Sequence, residues 1–211
     1  MPRRHRPGTG RCSSVGLSTG TSWCVGSAAY GEETLRIHPP PFGGRVIDIG
    51  CGFRDTTQHL AAVVGPEGSA LGVDVSARFI EAATAEAAGV ANVEFAVTDV
   101  QTTTFGQRFD LAFSRFGTMF FANPVAALRN VRESLVPGGK LVMVVWRSKV
   151  ENEWVYRGQT ITEKFVTKPE SYDEPTCGPG PFSMGNADRS AESWWGPASR
   201  TSRYAGVTCR C

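Results

Sequence analysis

The sequence predicts an α/β fold in which a parallel β-sheet is covered by helices on both faces. Short apolar runs recur between residues 45 and 146, segments of helical apolar period fill the intervals, and glycine or proline turns separate the two. Because each strand is a near-continuous apolar run, both sheet faces need cover, and strands alternating with helices connect through right-handed crossovers.

The first strand is Arg45-Val-Ile-Asp-Ile49, a β-branched run that follows the stiff Pro39-Pro-Pro41 connector and Gly43-Gly44 and ends in Gly50-Cys51-Gly52. A helix over Asp55 to Val64 places Leu60, Val63 and Val64 on one side and stops at Gly65-Pro66. Ala70 to Val75 gives the second strand, with Asp74 near its end. Ser76 caps the next helix, which turns Phe79, Ile80 and Ala83 inward and closes at Gly89. Val93 to Val97 is a third strand leading to Asp99, and Phe109 to Phe113 a fourth leading to Ser114-Arg-Phe-Gly117. Asn123 then caps a helix with Pro124 at its first position; Val125, Leu128, Val131 and Leu135 recur at three-to-four spacing until Pro137-Gly-Gly139. Leu141 to Trp146 is the fifth strand.

A chain of 211 residues that is 41% hydrophobic can bury a core without disulfides or a structural metal. No apolar stretch approaches the roughly 20 residues of a membrane helix, so no membrane span is expected. The net charge of +2 is unevenly spread: residues 1–31 carry +4, residues 32–188 carry −5 and residues 189–211 carry +3. An acidic middle argues against a nucleic-acid-binding core, which needs clustered bases on its folded surface. Four of the six cysteines lie in the ends, and Cys209-Arg-Cys211 has no second ligand pair near it, so neither a disulfide framework nor a metal site is expected. That cysteine usage fits a reducing, cytoplasmic compartment.

Residues 1–31, rich in Arg, Ser, Gly and Cys, lack a helical or alternating period and read as a disordered tail; without an apolar stretch, they do not make a targeting peptide. The count of 18 Arg against 4 Lys suggests a GC-rich gene, in which a shifted frame yields this kind of composition, so residues 1–31 and 189–211 are also candidates for out-of-frame peptide.

Ligands of such sheets bind beyond the carboxyl ends of the strands, which makes Gly50-Cys51-Gly52, Asp74, Asp99 and Ser114-Arg115 the residues expected to converge on one crevice. A glycine turn lets the backbone approach a ligand, and an acid at the next strand tip can accept from ribose hydroxyls. Gly52 and Asp74 are 22 positions apart, near the roughly 20 that a nucleotide site uses. A dinucleotide motif would place glycine at residue 55, where Asp55 stands; a carboxylate at a helix start opposes a pyrophosphate, so a nucleotide without phosphate is favoured over NAD.

With these residues the middle resembles the class I S-adenosylmethionine (SAM) methyltransferases, especially the small-molecule group related to ubiquinone and menaquinone biosynthesis enzymes. Val46-Ile-Asp-Ile-Gly-Cys-Gly52 resembles the family's first motif, Leu71-Gly-Val-Asp74 the second, Val97-Thr-Asp-Val100 the third, Phe109-Asp-Leu-Ala-Phe113 the fourth and Leu135-Val-Pro-Gly-Gly-Lys-Leu141 the fifth. The resemblance implies a Rossmann-like sheet, a SAM-binding core over residues 32–147, a substrate-side insert over 148–188 with Asn152-Glu-Trp154 and Gly178-Pro-Gly-Pro-Phe-Ser-Met184, and an irregular basic tail over 189–211. The family's closing antiparallel strand pair has no period-two counterpart in residues 185–211, so that edge is expected to be missing.

The same resemblance implies that Gly50, Cys51 and Gly52 line the methionine moiety with Asp48 beneath it. Asp74 would take the ribose hydroxyls and Asp99 the adenine amino group, with Val75 and Val100 against the adenine ring. Ser114, Arg115 and Phe116 would form the floor between cofactor and a small-molecule acceptor. Arg54 stands where the family has a small residue, and its bulk and charge would either crowd or attract the cofactor carboxylate. Methyl transfer from a sulfonium needs no metal. No general base is assigned, since His59, on the first helix of the sheet region, reads as a surface residue. Cys51 reads as part of the loop rather than a nucleophile, and Trp154 and Phe182 are either an acceptor wall or cover for the sheet edge. Two rivals remain: a truncated relic that binds SAM weakly or not at all, and a nicotinamide oxidoreductase. Acceptor identity and oligomeric state are not legible.

Overall fold

A computed structural model of the chain describes residues 21–166 and 178–186. Five parallel strands form one sheet: β1 (Arg45–Ile49), β2 (Ser69–Asp74), β3 (Val93–Val97), β4 (Phe109–Arg115) and β5 (Leu135–Val144). Their spatial order is β3-β2-β1-β4-β5. The order reverses between β1 and β4, the switch point at which a crevice opens in such sheets. The helices are α1 (Thr21–Ile37), α2 (Asp55–Val64), α3 (Ala77–Glu86), α4 (Pro124–Glu133) and α5 (Glu153–Thr162).

The period of two along each strand divides the core into two layers. Val46, Leu111 and Phe113 pack with Leu35 of α1 and with Leu60, Ala61 and Val64 of α2, whereas Ile47, Ile49, Val73 and Ala112 pack with Val131 of α4 and Leu135. The continuous apolar runs follow from this, since both parities are buried. Turn chemistry sets the helix starts as the sequence indicates: the Phe79 N–H donates to the Ser76 hydroxyl and the Ala126 N–H to Asn123 Oδ1, with Pro124 in the first turn.

Three expectations are corrected. A disordered tail through residue 31 is overturned for residues 21–31, which belong to α1. Among its described side chains, Leu35 is buried, Tyr30 packs on Phe116 and Trp146, and Gly31 lies where an added Cβ would stand 3.1 Å from Arg115 Cδ. Close approach of a small residue replaces periodicity there. Residues 1–20, 167–177 and 187–211 lie outside the described residues, and with them the rest of the basic tail, the middle of the expected 148–188 insert and the irregular C-terminal tail.

Secondly, α4 ends at Glu133, and Leu135 begins β5 rather than completing the helix. The pairing jumps from Phe109↔Leu135 to Leu111↔Lys140, so Pro137, which lacks an N–H, and Gly138 at φ +82° sit in an irregularity of the edge strand instead of ending a helix. Arg108 donates to the carbonyls of Glu133 and Leu135, satisfying the helix end. Thirdly, Val125 is exposed; Ala127, Leu128 and Val131 form the buried side of α4.

The segment after β5 is held by specific contacts. Asn152 Nδ2 donates to the carbonyls of Arg147 and Ser148. Further on, the Gly180 N–H (2.9 Å) and the Ser183 hydroxyl (2.6 Å) both donate to the Met119 carbonyl, in the short turn Thr118–Phe120 after β4. Met184 is buried against Met119 and Leu128. Among the described residues the sheet ends at β5, with no antiparallel strand beside it.

Candidate functional site

At the carboxyl ends of β1, β2 and β4 lies a cleft of about 420 Å³. Its floor is built by two loops that touch at glycines. Gly50 (φ +71°) follows β1, and a Cβ on it would stand 2.8 Å from Gly117 Cα after β4; only glycine satisfies both the backbone conformation and the approach.

Asp74, at the tip of β2, faces this cleft. Its Oδ2 accepts from the Gly52 N–H (3.1 Å) and its Oδ1 from the Ser76 N–H (2.9 Å). A carboxylate offers about four acceptor directions, so two remain open on the cleft side. The same carboxylate therefore clamps the glycine loop and presents acceptors. Asp99, after β3, is oriented by Gln101, whose backbone N–H (2.9 Å) and side-chain amide (3.1 Å) both donate to Oδ1, leaving Oδ2 with only a long 3.4 Å contact from that amide.

Arg115 and Phe116 also line the cleft. Phe116 holds a left-handed backbone (φ +63°) and its ring stacks on Trp146 at 4.9 Å and 17°. Its N–H donates to the Val144 carbonyl. The stack and this bond hold a conformation that a non-glycine residue ordinarily avoids. Tyr30 of α1 packs edge-on against both rings, each at 6.3 Å, and Trp154 edge-on against Trp146 at 6.1 Å.

Of the residues expected in the crevice, Gly50, Gly52, Asp74, Val75, Asp99, Val100, Arg115 and Phe116 line it. Val100 does so as a core residue, 4% exposed, while Val75 stands on the rim at 69%. Asp48, Cys51 and Ser114 do not line it. Asp48 is buried beneath the loop because Gly72, its neighbour on β2, has no side chain and leaves room for Thr57, whose hydroxyl donates to Asp48 Oδ2 at 2.7 Å. Asp48 Oδ1 has no hydrogen-bond partner. Burial pushes the Asp48 carboxyl up to about 7, against the lowering effects of the Thr57 bond and Arg115, with Asp74 adding to the rise.

Cys51 is buried, and burial followed by the charges of Asp48 and Asp74 pushes its thiol well up, which keeps it a thiol rather than a nucleophile. Ser114 is fully buried and its hydroxyl donates to the Ile49 carbonyl (2.8 Å), tying β4 to β1 at the switch point instead of facing a ligand.

Arg54 neither crowds nor enters the cleft. Its guanidinium pairs with the Glu86 carboxylate at 2.8 Å and donates to the Gln58 amide and the Glu86 carbonyl, drawing the side chain to the end of α3. His59 borders a separate cavity of about 110 Å³ between α1 and α2. Trp154 is exposed, with one edge on Trp146.

Among the lining residues that the sequence did not single out for the site are Phe79, Gln101, Phe120 and Phe121. Phe79, expected inward, instead packs 4.5 Å from Phe53 at the cleft margin. Gln101 carried a signal in its place two residues after Asp99; Phe120 and Phe121 carried none, because the turn that presents them follows a strand end whose direction the sequence does not give.

A family profile described as "Methyltransferase domain" matches residues 42–190. Aklanonic acid methyltransferase DauC from Streptomyces sp. (strain C5) is 34% identical over 114 residues, covering 53% of this chain and 52% of that protein. Demethylmenaquinone methyltransferase from Staphylococcus carnosus (strain TM300) is 29% identical over 101 residues, covering 47% and 42%. The chain thus spans about half the length of these curated relatives. Among solved structures, a SAM-dependent methyltransferase from Aquifex aeolicus superposes with a TM-score of 0.51 at 19% identity, covering 61% of this chain and 77% of that one. Coclaurine N-methyltransferase bound to N-methylheliamine and S-adenosylhomocysteine gives 0.51 at 21%, covering 60% and 38%. These two similarities show the shared fold.

Proposed function

Since the chain belongs to the methyltransferase-domain family, in its class I SAM-dependent branch, we propose that the cleft at the β1–β4 switch point binds SAM and directs methyl transfer to a small-molecule acceptor. One observation carries the reading: Asp74 spans the glycine loop and the cleft, with two acceptor directions spare for a ribose diol. The residues present fit the cofactor. Gly50 and Gly52 let the backbone approach its amino-acid part, and Asp99 Oδ2 offers an acceptor to an adenine amino group. Phe79 and Val100 give apolar surface to a ring. A dinucleotide fits worse, because the cleft is lined by two carboxylates and a single cation, Arg115.

Bound SAM would supply a methyl group on a sulfonium, displaced in line while the C–S electron pair leaves on sulfur. The protein's contribution is alignment and water exclusion, which can supply roughly 7–11 kcal/mol when the geometry is good. Phe116, Phe120 and Phe121 form the apolar side of the cleft, and the 178–184 segment latched on Met119 holds their turn in place. The names of the relatives, an aklanonic acid methyltransferase and a demethylmenaquinone methyltransferase, support a small organic acceptor. No described helix is long and apolar enough to cross a membrane.

The relic reading loses one support, since Arg54 is engaged by Glu86 outside the cleft. Calorimetric titration with S-adenosylhomocysteine and, separately, NAD tests the proposal. Micromolar binding of the former alone is expected; binding of NAD alone, or of neither, would overturn it.

A further inference from the structure

Resting on the SAM reading of the cleft, we infer that Gln101 is a positioning residue that joins the cleft's two ends. It holds Asp99 at the adenine end and, through the same side-chain amide, the turn carrying Phe120 and Phe121 at the acceptor end. All four residues line the cleft. Gln101 Nε2 donates to Asp99 Oδ1 at 3.1 Å, and Gln101 Oε1 accepts from the Asn123 N–H at 2.7 Å. Neither partner can reverse its role. A backbone N–H only donates and so takes the amide oxygen; a carboxylate only accepts and so takes the amide NH₂. A single amide orientation satisfies both bonds, and each bond holds the amide in place for the other.

The surrounding backbone is held without this side chain. The Asp99 carbonyl accepts from the Thr102 and Thr103 N–H groups, and Asn130 Nδ2 of α4 donates to the Val100 and Thr103 carbonyls at 3.0 Å each. The loop after β3 is thus closed on itself and pinned to α4 by bonds other than those of the Gln101 amide. What that amide adds is direction for one carboxylate and an anchor for one turn. Together with the Gln101 N–H (2.9 Å) it occupies Oδ1 and leaves Oδ2, with its long 3.4 Å contact, as the acceptor for an adenine amino group. The turn that presents Phe120 and Phe121 is latched before them at the Met119 carbonyl, by Gly180 and Ser183, and after them at the Asn123 N–H, by Gln101. A cofactor that fixes Asp99 therefore also fixes the second latch, and by linkage a latched turn favours the cofactor.

The test measures S-adenosylhomocysteine affinity by calorimetry on the full chain and on its Gln101→Ala, Asp99→Ala and doubly substituted forms. Gln101→Ala should weaken binding about fivefold, but by about twofold or less when Asp99 is already replaced, because a residue that acts through another then has nothing to position. Gln101→Glu keeps the shape and gives a second readout: it sets a carboxyl against Asp99, and only a shared proton lets that contact persist. Its affinity should match the natural chain within about threefold at pH 5.5 and fall at least about fivefold behind it at pH 8. The charges of Asp48, Asp74 and Arg115, which both proteins share, cancel in that ratio. Saturating S-adenosylhomocysteine should also slow amide hydrogen exchange in residues 50–54 of both the natural chain and Gln101→Ala, but in residues 118–123 of the natural chain alone. A Gln101→Ala chain that binds undiminished or fails to fold, additive losses in the double substitution, a pH-independent ratio for Gln101→Glu, or slowed exchange at 118–123 that survives Gln101→Ala would overturn the inference. Failure of the natural chain to bind S-adenosylhomocysteine at all would refute the cofactor reading, and this inference with it.

Discussion

Replacing Asp48 by Asn should stabilise the protein at pH 8 and not at pH 4.5. The side chain is buried, Oδ2 accepts from Thr57, and Oδ1 has no partner. Burial raises the carboxyl from its ordinary 3.8 to about 7. A group that holds its proton more tightly folded than unfolded lowers stability as pH rises between those two values, because the folded state then binds more protons. The penalty is absent below about pH 4 and complete above about pH 7. A rise of this size corresponds to roughly 4 kcal/mol at about 1.4 kcal/mol per unit, an upper figure for a buried group. Asp48→Asn resembles the protonated acid, keeps an acceptor for Thr57, and removes the titration. The variant's melting temperature relative to the natural chain should therefore climb between pH 4.5 and 8, by on the order of 10 °C for a chain of this size. Thermal melts of both proteins at the two pH values measure it. A difference that does not change with pH, or that shrinks at pH 8, would refute the burial argument.

Three other outcomes are expected. Arg54→Gly should bind S-adenosylhomocysteine within about threefold of the natural chain, and its stability should change by less than about 1 kcal/mol: glycine relieves the left-handed backbone at φ +97° but the Glu86 bridge is lost. Calorimetry and urea melts check both parts. Asp74→Ala should weaken S-adenosylhomocysteine binding by at least thirtyfold, since it removes the diol acceptors and frees the Gly52 and Ser76 amides at once, whereas Asp99→Ala should cost less, about tenfold. Cys51 should resist iodoacetamide at pH 8 in the folded protein and react in 6 M urea, as followed by mass spectrometry; rapid native alkylation would contradict its burial and raised thiol.

The parallel sheet was legible because both faces of β1, β2 and β4 are covered, which imposes unbroken apolar runs, and because capping residues such as Ser76 and Asn123 mark their helices locally. What escaped depends on tertiary contact. Helix α1 meets Arg115 at Gly31 and docks Tyr30 and Leu35 at five-residue separation, a contact that gives no regular apolar period to read. Leu135 continues the helical spacing of α4, and only its pairing with Phe109 reveals it as the start of β5. In the site, the strand-end rule located Asp74, Asp99 and Arg115, whose side chains lie at tips the sheet must expose. Ser114 followed the same rule and turned elsewhere, its hydroxyl finding the Ile49 carbonyl, and Asp48, placed beneath the cofactor by the resemblance alone, turned its carboxyl to Thr57. Side-chain partners decide between a ligand contact and an internal bond, and sequence spacing does not carry them.

The most direct test of the proposed SAM site is a crystal structure of the full chain grown with S-adenosylhomocysteine. Expected is the ligand in the cleft at the β1–β4 switch point, its ribose hydroxyls within hydrogen-bond distance of Asp74 and its adenine amino group at Asp99. Ligand bound elsewhere, for instance in the small cavity beside His59, or bound in the cleft without touching Asp74, would contradict it.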